Sequence, residues 1–283
     1  MDTTFVNPSN DQRKLKLVLR HKRDEAGLLQ REVAEAMDWS PSKVVRIENG
    51  AVRISTNDLK ALLNLYRVGP AEVEEIIALA KASRRPPWWS EFADLVSPEF
   101  AQQLGFESSA SRLFNFYGTV VPGLLQTPEY AQAVIANFAS DDVVRLVNLR
   151  MRRQEIFARP EPPQARFVLG EAALHIQVGG PQILRAQLER LLELMKASQV
   201  SIEIIPFTAG AHPGMIGPFE VMGFDDGDGD VAAFESPTGL TLIREEVGIV
   251  SKYRQTFEAL SGIAAKGDDA VVHINKLIKS LTD

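Results

Sequence analysis

Apolar residues recur at helical spacing through the first part of the chain, in short segments separated by tight breaks. In each segment the apolar positions fall on one face, which is the pattern of small helices packed around a shared core. The segments predict five helices. The first is marked by Leu15, Val18 and Leu19 and ends at a break at Gly27, the second by Val33, Ala34 and Met37, and the third by Val44, Val45 and Ile47. The fourth follows an N-cap at Thr56 and is marked by Leu59, Leu62, Leu63 and Tyr66, and the fifth covers residues 71–83.

The sequence RRPP at residues 84–87 interrupts this helical pattern. Proline lacks a backbone N–H and disfavours the helical conformation in the residue before it. We therefore predict a linker at residues 84–87, between a helical module at residues 12–83 and a second domain at residues 88–283. Residues 1–11 are polar and without periodicity, and they predict a flexible tail.

Beyond the linker, segments with strand character alternate with amphipathic helices. The predicted strands cover residues 165–170, 200–207, 219–224, 231–236 and 239–243, and the predicted helices cover residues 128–138, 142–159, 181–198, 245–262 and 268–281. The third and fourth strands predict a hairpin around the sequence DDGDGD. This mixture predicts an α+β domain with a mixed or antiparallel sheet. The fold class expected for the whole chain is therefore multi-domain α+β, with an N-terminal all-α five-helix module.

The sequence QREVAEAMDWSPSKVVRIENG has the features of a helix-turn-helix. The turn between its two helices needs an unusual backbone, and Asp38 tolerates the left-handed conformation that glycine usually supplies. Ser40 can cap the second helix, and Pro41 suits the first helical position, where its missing N–H costs nothing. The residues that follow Pro41 then occupy the first turns of the second helix, which are the turns that meet base edges in such motifs.

Within that second helix, Val44 and Ile47 are predicted to face inward, and Ser42, Val45 and Arg46 to face outward. An outward valine suits contact with a thymine methyl group, and arginine reads guanine through two parallel hydrogen bonds. The alternative is a helical hairpin that does not bind DNA.

Charge is distributed unevenly, in a way that favours DNA binding. Between Gln12 and Pro70 there are 12 Lys and Arg against 7 Asp and Glu, a net charge of +5, whereas the whole chain carries −6 and the remainder therefore −11. A basic segment attached to an acidic body is typical of a protein in which one part meets nucleic acid. Lys43, in the basic segment, is predicted to contact phosphate.

The sequence from LLQREV to RIENG resembles the phage-repressor-type (XRE-type) helix-turn-helix, over the whole predicted module. The resemblance implies that Gln30, Asn49 and Arg53 contact phosphates, and that Arg23 forms a structural ion pair with Glu48. Together the predicted DNA-binding residues are Gln30, Ser40, Pro41, Ser42, Lys43, Val45, Arg46, Asn49 and Arg53.

The second domain resembles the large C-terminal domain of an actinobacterial family of such regulators. The resemblance is carried by PWWSEFADL, VVPGLLQTPEYAQAV, RMRRQEIF, PFTAGAHPGMIGPF and YRQTFEAL. It implies an antitoxin-like transcriptional regulator with a small protein partner encoded nearby. It implies no chemical activity and no ligand for this domain.

Other motifs in the second domain give weaker signals. The sequence DDGDGD alternates acidic residues as a calcium loop does, but Val231 and Pro237 stand where that loop needs its glycine and its glutamate, so a hairpin loop is the better interpretation. His175, four residues after Glu171, and His212 have no second histidine at metal-ligand spacing and no GxSxG or HExxH motif, so structural or solvent-facing roles are expected. The sequence VGGPQ suits either an anion site or a simple strand-to-helix loop, and the loop is favoured because no GxGxxG or GKS/T pattern is present.

Two further features of the second domain remain open. The predicted helix 142–159 carries five arginines, which either form a solvated face or bind an acidic partner or the DNA backbone. The five are Arg145, Arg150, Arg152, Arg153 and Arg159. The loop TAGAHPGMIGPF, rich in glycine and proline, is predicted to border a pocket.

Composition limits the remaining functions. The chain of 283 residues contains no cysteine, which excludes disulfides, zinc–thiolate sites and a cysteine nucleophile. It starts without the apolar stretch of a signal peptide, and we expect no membrane association and a cytoplasmic location. The sequence thus predicts a homodimeric transcription regulator that binds a double-stranded DNA operator, with no catalytic residues, metal or cofactor. The alternative is an enzyme or small-molecule sensor in the C-terminal domain, with the N-terminal module targeting it to DNA.

Overall fold

The structure, a computed structural model, describes residues 8–50, 52–137, 141–225, 229–236, 239–244 and 246–281. Of the predicted flexible tail, residues 1–7 lie outside the described residues. The chain divides into two compact units, Met1–Ser90 and Glu91–Asp283. Each unit is built around its own buried apolar residues.

The first unit contains the five helices that the sequence predicts. They are α1 (Pro8–Glu25), α2 (Gln30–Ala36), α3 (Pro41–Glu48), α4 (Thr56–Leu65) and α5 (Pro70–Ala82). Two details of the prediction were wrong. Helix α1 begins at Pro8, inside the segment predicted as tail. The N-cap of α4 is Ser55, whose hydroxyl accepts a hydrogen bond from the backbone N–H of Asp58 at 3.0 Å, whereas Thr56 is already the first helical residue.

The core of the first unit draws on all five helices. It consists of Leu15, Leu19, Val33, Ala34, Val44, Ile47, Ile54, Leu59, Leu62, Leu63, Tyr66, Ile76 and Ala80. The residues that defined the helical periodicity in the sequence are largely these buried ones, because each short helix has a single apolar face to bury.

The second unit is built on a mixed sheet, one of the two kinds that the sequence predicted, and the sheet has six strands instead of the five predicted. Its strands are β1 (Arg112–Tyr117), β2 (Gln164–Gly170), β3 (Val200–Ile205), β4 (Phe219–Gly223), β5 (Val231–Ser236) and β6 (Gly239–Ile243), in the order β3-β2-β1-β4-β5-β6. The strands β1, β2 and β3 are parallel to each other, and the pairings from β1 through β4 and β5 to β6 are antiparallel. Strand β1, in the middle of the sheet, was not predicted.

Helices and short helical turns cover both faces of this sheet. The α-helices are α6 (Pro98–Glu107), α7 (Pro128–Ile135), α8 (Val143–Arg153), α9 (Ala172–His175), α10 (Pro181–Leu194), α11 (Val247–Gly262) and α12 (Gly267–Ser280). The 3-10 turns are Gly123–Leu125, Gln154–Ala158, Phe207–Ala209 and Pro213–Ile216, and a further 3-10 turn, Trp88–Phe92, contains the boundary between the two units. Helix α8 is therefore shorter than the predicted helix 142–159, because the chain continues after Arg153 as a 3-10 turn. Within the described ranges, no helix combines the length and apolarity that crossing a membrane requires.

The faces of the sheet bury separate cores. Leu113 of β1 packs in a cluster with residues of α7, α10 and α12, whereas Phe114 and Phe116 of the same strand pack in a cluster with residues of α11. Neighbouring residues of a strand point to opposite faces, and here both faces are covered. The carboxyl ends of the three parallel strands consequently open at one edge, between helices on either face.

Candidate nucleic-acid interface

The connection between α2 and α3 has the geometry of a helix-turn-helix. Asp38 takes a left-handed conformation, with φ of 52°. The hydroxyl of Ser40 accepts a hydrogen bond from the backbone N–H of Lys43 at 3.3 Å, and Pro41 is the first residue of α3. These observations confirm the local roles predicted for Asp38, Ser40 and Pro41.

The two faces of α3 differ as the sequence predicted. Val44 and Ile47 are buried in the core of the first unit, with exposed fractions of 2% and 4%. Ser42, Val45 and Arg46 are exposed on the opposite face. An outward valine between a hydroxyl and a guanidinium is compatible with base edges in a major groove.

Two arginines near α3 have exposed guanidinium groups without a described hydrogen-bond partner. Arg46, on α3, and Arg53, in the segment after it, are exposed. Among the side chains and backbone groups that the structure describes, none hydrogen-bonds to either guanidinium. Neither guanidinium therefore has to break a described hydrogen bond in order to bind an anionic partner such as a DNA phosphate.

Glu48, the last residue of α3, is the centre of a small buried network. Its side chain is 1% exposed, and its Oε1 accepts a hydrogen bond from Arg23 Nε at 2.8 Å. Its Oε2 accepts from Gln30 Nε2 at 2.8 Å. Arg23 also donates to the carbonyl of Leu28 at 2.9 Å. The network ties α1 and the start of α2 to the end of α3.

The remaining predicted phosphate contacts have partners within the protein. The amide of Gln30 commits one of its N–H groups to Glu48. The ammonium of Lys43 lies 3.2 Å from Asp58 Oδ2 and 3.8 Å from the centre of the Trp39 ring. The side-chain oxygen of Asn49 accepts from Arg20 Nη2. Contacts of Gln30, Lys43 and Asn49 with phosphate remain predictions, and Lys43 would exchange an intramolecular ion pair for one with DNA.

Sequence reasoning did not identify the residues that hold this end of α3 in place. Gln12 Nε2 donates to the carbonyl of Gly50 at 2.8 Å, and Arg20 donates to Asn49. Both are polar residues of α1 on the side that meets the Asn-Gly turn. The signal in the sequence was weak, because polar residues on a predicted helix are normally assigned to its solvent-facing side.

Comparison with protein families fits this geometry. A helix-turn-helix domain family matches residues 17–76. The family described as a domain of unknown function (DUF5753) matches residues 100–276, which is more than half of the chain. The chain belongs to the DUF5753 family. No curated protein and no solved structure matches the chain significantly. The helix-turn-helix match, together with the geometry of α2 and α3, identifies a DNA-binding transcription regulator.

Within the DUF5753 region, all five arginines of the predicted helix 142–159 have partners inside the protein. Arg145 and Arg152, 40% and 35% exposed, pair with exposed carboxylates, as expected for a solvated face with counter-charges elsewhere, and binding of an acidic partner or the DNA backbone stays a prediction. Arg145 through Arg159 bind, in chain order, Asp94, Gln126, Glu155, Glu107 and the carbonyl of Ser108. Arg153 is the most deeply placed, since its Nε donates to the buried carboxylate of Glu107 at 2.7 Å.

The other motifs of the DUF5753 region bring no metal site together. Strands β4 and β5 pair antiparallel on either side of DDGDGD, as the hairpin interpretation predicted, although residues 226–228 and Pro237 lie outside the described residues. Within the part of the chain that the structure describes, no group of three or more His, Asp or Glu side chains is arranged to hold a metal ion. The sequence VGGPQ joins α9 to α10, not a strand to a helix, and its Gly179 and Gly180 have positive φ.

Glu48 is more deeply buried than its partner Arg23, and this difference leads to a prediction about the stability of the two alanine variants. Arg23→Ala should destabilise the helix-turn-helix domain by about 3 kcal/mol, because it leaves the buried carboxylate of Glu48 with only Gln30 as a partner. Glu48→Ala should cost less, about 1–2 kcal/mol, because the guanidinium of Arg23 keeps the carbonyl of Leu28 and some access to water. Hydrogen exchange of α4 amides, measured against denaturant concentration, gives both values.

The matched control is Arg31→Ala, which removes an exposed arginine of α2 and should change the free energy of unfolding by no more than about 0.5 kcal/mol. In the Arg23/Glu48 double-mutant cycle, a coupling energy indistinguishable from zero would show that the ion pair does not stabilise the domain.

Proposed function

We propose that the protein is a sequence-specific regulator of the phage-repressor (XRE) type and that α3 is its recognition helix. The observation that carries the proposal is the exposed face of α3, where Ser42, Val45 and Arg46 are presented by a helix anchored through Val44 and Ile47. In this proposal Arg46 reads a guanine and Val45 contacts a thymine methyl group.

Backbone contacts with DNA complete the proposed interface. Arg53 is the best placed to bind phosphate, since its guanidinium is exposed and free of described partners. Ser40 and Pro41, at the start of α3, bring the backbone and the helix N-terminus towards a second phosphate. Lys43, Gln30 and Asn49 add further contacts if their intramolecular partners are exchanged for phosphate oxygens.

Arg46→Ala tests the assignment of base reading. The variant should lose about 1–3 kcal/mol on the preferred duplex and little on random DNA, because only the preferred duplex offers the guanine contact. The preferred duplex is obtained by repeated selection from a random library with the full chain. Fluorescence anisotropy at a fixed salt concentration then measures both affinities.

Arg53→Ala is the matched control, because it removes the same side chain from a proposed phosphate contact. It should weaken both duplexes alike and reduce the slope of log affinity against log salt by about one. Equal losses on both duplexes for Arg46→Ala would remove Arg46 from the base-reading set.

For the C-terminal domain we propose an antitoxin-like role with a small protein partner encoded nearby, and we propose that the regulator is a cytoplasmic homodimer without enzymatic activity. The family resemblance of its sequence motifs supports this role. Large apolar side chains stand exposed on one loop of the domain, where Phe207, Met215 and Ile216 have exposed fractions of 62%, 69% and 95%. Clustered exposed apolar residues favour a protein contact. Co-expression with each small protein encoded beside the gene, followed by purification through the regulator, tests the partner.

A further inference from the structure

A cavity of about 360 Å³ lies at the carboxyl ends of the parallel strands β1, β2 and β3. Its walls come from the residues that follow each strand and from the loop TAGAHPGMIGPF, which the sequence predicted to border a pocket. In open sheets with parallel strands, ligands bind in the crevice outside the carboxyl ends of the strands. The volume is within the range of small-molecule sites.

Two glycines shape this cavity by close packing of its walls. A Cβ atom on Gly170 would lie 2.6 Å from the carbonyl oxygen of Gly118, and one on Gly214 would lie 2.4 Å from the ring of Phe116. No side chain fits at either position without a shift of the backbone or the ring. The loops are thereby held in fixed positions around the cavity, which favours a site formed before ligand arrives.

Glu171 provides a negative charge on the cavity wall. Its Oε2 accepts the backbone N–H of Phe207 at 2.6 Å, and its Oε1 lies 3.3 Å from His175 Nε2 and 3.1 Å from His273 Nε2. Burial raises the pKa of Glu171, but the N–H of Phe207 and the nearby histidines outweigh it, so that the pKa lies below its usual value. A carboxylate has about four acceptor positions, and these contacts leave about one for a ligand.

The rest of the wall is apolar apart from two polar side chains. Phe207 and Met215 provide apolar surface, with exposed fractions of 62% and 69%, and Thr119 provides a hydroxyl. The Nδ1 atom of His212 is buried and has no hydrogen-bond partner among the described residues, and because it has almost no accessible surface it offers no acceptor to a molecule in the cavity. The lining residues include no lysine or arginine to neutralise Glu171.

We propose that this cavity binds a small organic cation, with an amine or amidine group at Glu171 and an aromatic-sized apolar body against Phe207 and Met215. A positively charged donor satisfies the remaining acceptor position of the carboxylate, and the apolar body covers the exposed side chains of Phe207 and Met215. An anion of the same size meets the carboxylate of Glu171 instead. The proposal is independent of DNA binding, which resides in the other unit.

The test compares two probes of nearly equal size and opposite charge on the full chain without DNA. Isothermal titration calorimetry at neutral pH should give 2-phenylethylamine a dissociation constant at least about tenfold below that of 3-phenylpropionate, the equivalent of one charge-assisted hydrogen bond. Absence of binding by the amine, or equal binding of both probes, would overturn the proposal.

Variants of the wall locate the binding. Glu171→Gln keeps an acceptor for the N–H of Phe207 but removes the charge, and it should weaken the amine about tenfold without weakening 3-phenylpropionate. Glu161→Gln, an exposed glutamate away from the cavity, is the matched control and should change neither. Phe207→Ala, at a largely exposed ring, should weaken the amine about fivefold. The site would be refuted if Glu171→Gln and Glu161→Gln lost equal affinity for 2-phenylethylamine. It would also be refuted if that affinity were unchanged in both Glu171→Gln and Phe207→Ala.

A lysine side chain of a protein partner shares the cationic chemistry, and a third probe separates the two sources. Nα-acetyl-lysine methylamide carries the ammonium without an aromatic body. A lysine-amide affinity at least about fivefold lower than that of 2-phenylethylamine supports a free aromatic amine, because only the aromatic amine places a ring against Phe207. Equal or tighter binding of the lysine amide would overturn the small-molecule assignment.

Discussion

Arg153→Ala is expected to destabilise the C-terminal unit by about 3–5 kcal/mol. The guanidinium of Arg153 binds both oxygens of Glu107, which is 2% exposed, and lies 3.9 Å from Glu220, which is 3% exposed. Removing it takes away the cation that bonds directly to Glu107 and leaves two buried carboxylates near each other. A buried charge without its partner costs far more than the intact pair contributes.

The loss of unfolding free energy in Arg153→Ala should depend on pH. Burial and the neighbouring carboxylate of Glu107 already raise the pKa of Glu220 to about 7, above its ordinary value of 4.5. The positive charge of Arg153 lowers the pKa of Glu220, so without Arg153 that pKa is expected to rise further. A group with a raised folded pKa contributes stability below its unfolded pKa and loses it as pH rises through the folded pKa. The difference between wild type and variant should therefore be larger at about pH 8 than at about pH 5.

Arg152→Ala is the matched control for this prediction. It removes the neighbouring arginine of α8, whose partner Glu155 is largely exposed, and should change the free energy of unfolding by less than about 1 kcal/mol at either pH. Hydrogen exchange of the amides of β1 and β2 against denaturant concentration reports the unit that contains them. A loss for Arg153→Ala no larger than that for Arg152→Ala would show that the buried carboxylates need no cation.

Removal of the C-terminal unit is expected to lower operator affinity by about two to four orders of magnitude. One recognition helix reads only a few base pairs, so selective binding requires two copies, with half-sites about 34 Å apart or a multiple of that distance. We propose that the C-terminal unit makes most of the dimer contact. Without this contact, the two helix-turn-helix domains are no longer linked. Binding of one domain to the first half-site then no longer raises the effective concentration of the other domain at the second half-site.

The fragment should end at Pro87, because Arg84 donates to the carbonyl of Ile54 at 2.6 Å and to Thr56 Oγ1 at 3.2 Å, contacts that a chain ending at Ser83 would lose. Far-UV circular dichroism should show a folded helical fragment. Sedimentation equilibrium and operator titrations are then run on the fragment and the full chain together. A monomeric full chain, or a fragment that binds as tightly, would assign the C-terminal unit to partner or ligand binding instead.

The helix-turn-helix was predictable in detail because its determinants are local. Asp38 in the turn, Ser40 at the cap and Pro41 at the first helical position act on their immediate neighbours, and each has the role that the sequence predicted. The exposed and buried sides of α3 follow from helical spacing alone. By contrast, the contact between Gln30 and Glu48 depends on how helices pack, and no spacing in the sequence reveals it.

Strand β1 was missed because its sequence lacks the usual signals. RLFNFY carries no clear alternation, since four consecutive residues are buried on the two covered faces of the sheet. Its Asn115 is polar and yet 2% exposed. Arg153 of α8 was not predictable for a related reason, because a charged residue in a sequence is normally assigned to the surface, whereas its partner Glu107 is buried at the end of α6.

The central position of β1 has a consequence for how the protein is made. This strand forms first along the chain, yet its antiparallel neighbour β4 begins only at Phe219, so the sheet cannot be completed until most of the chain has been synthesised. The five N-terminal helices depend on closer pairings, which fold faster than sheets closed over long separations. Because domains fold in order as the chain emerges from the ribosome, the nascent regulator is expected to present a finished helix-turn-helix while β1 still lacks one neighbour. During that interval the apolar side chains of β1 and β2 are the surface most exposed to aggregation and to chaperones.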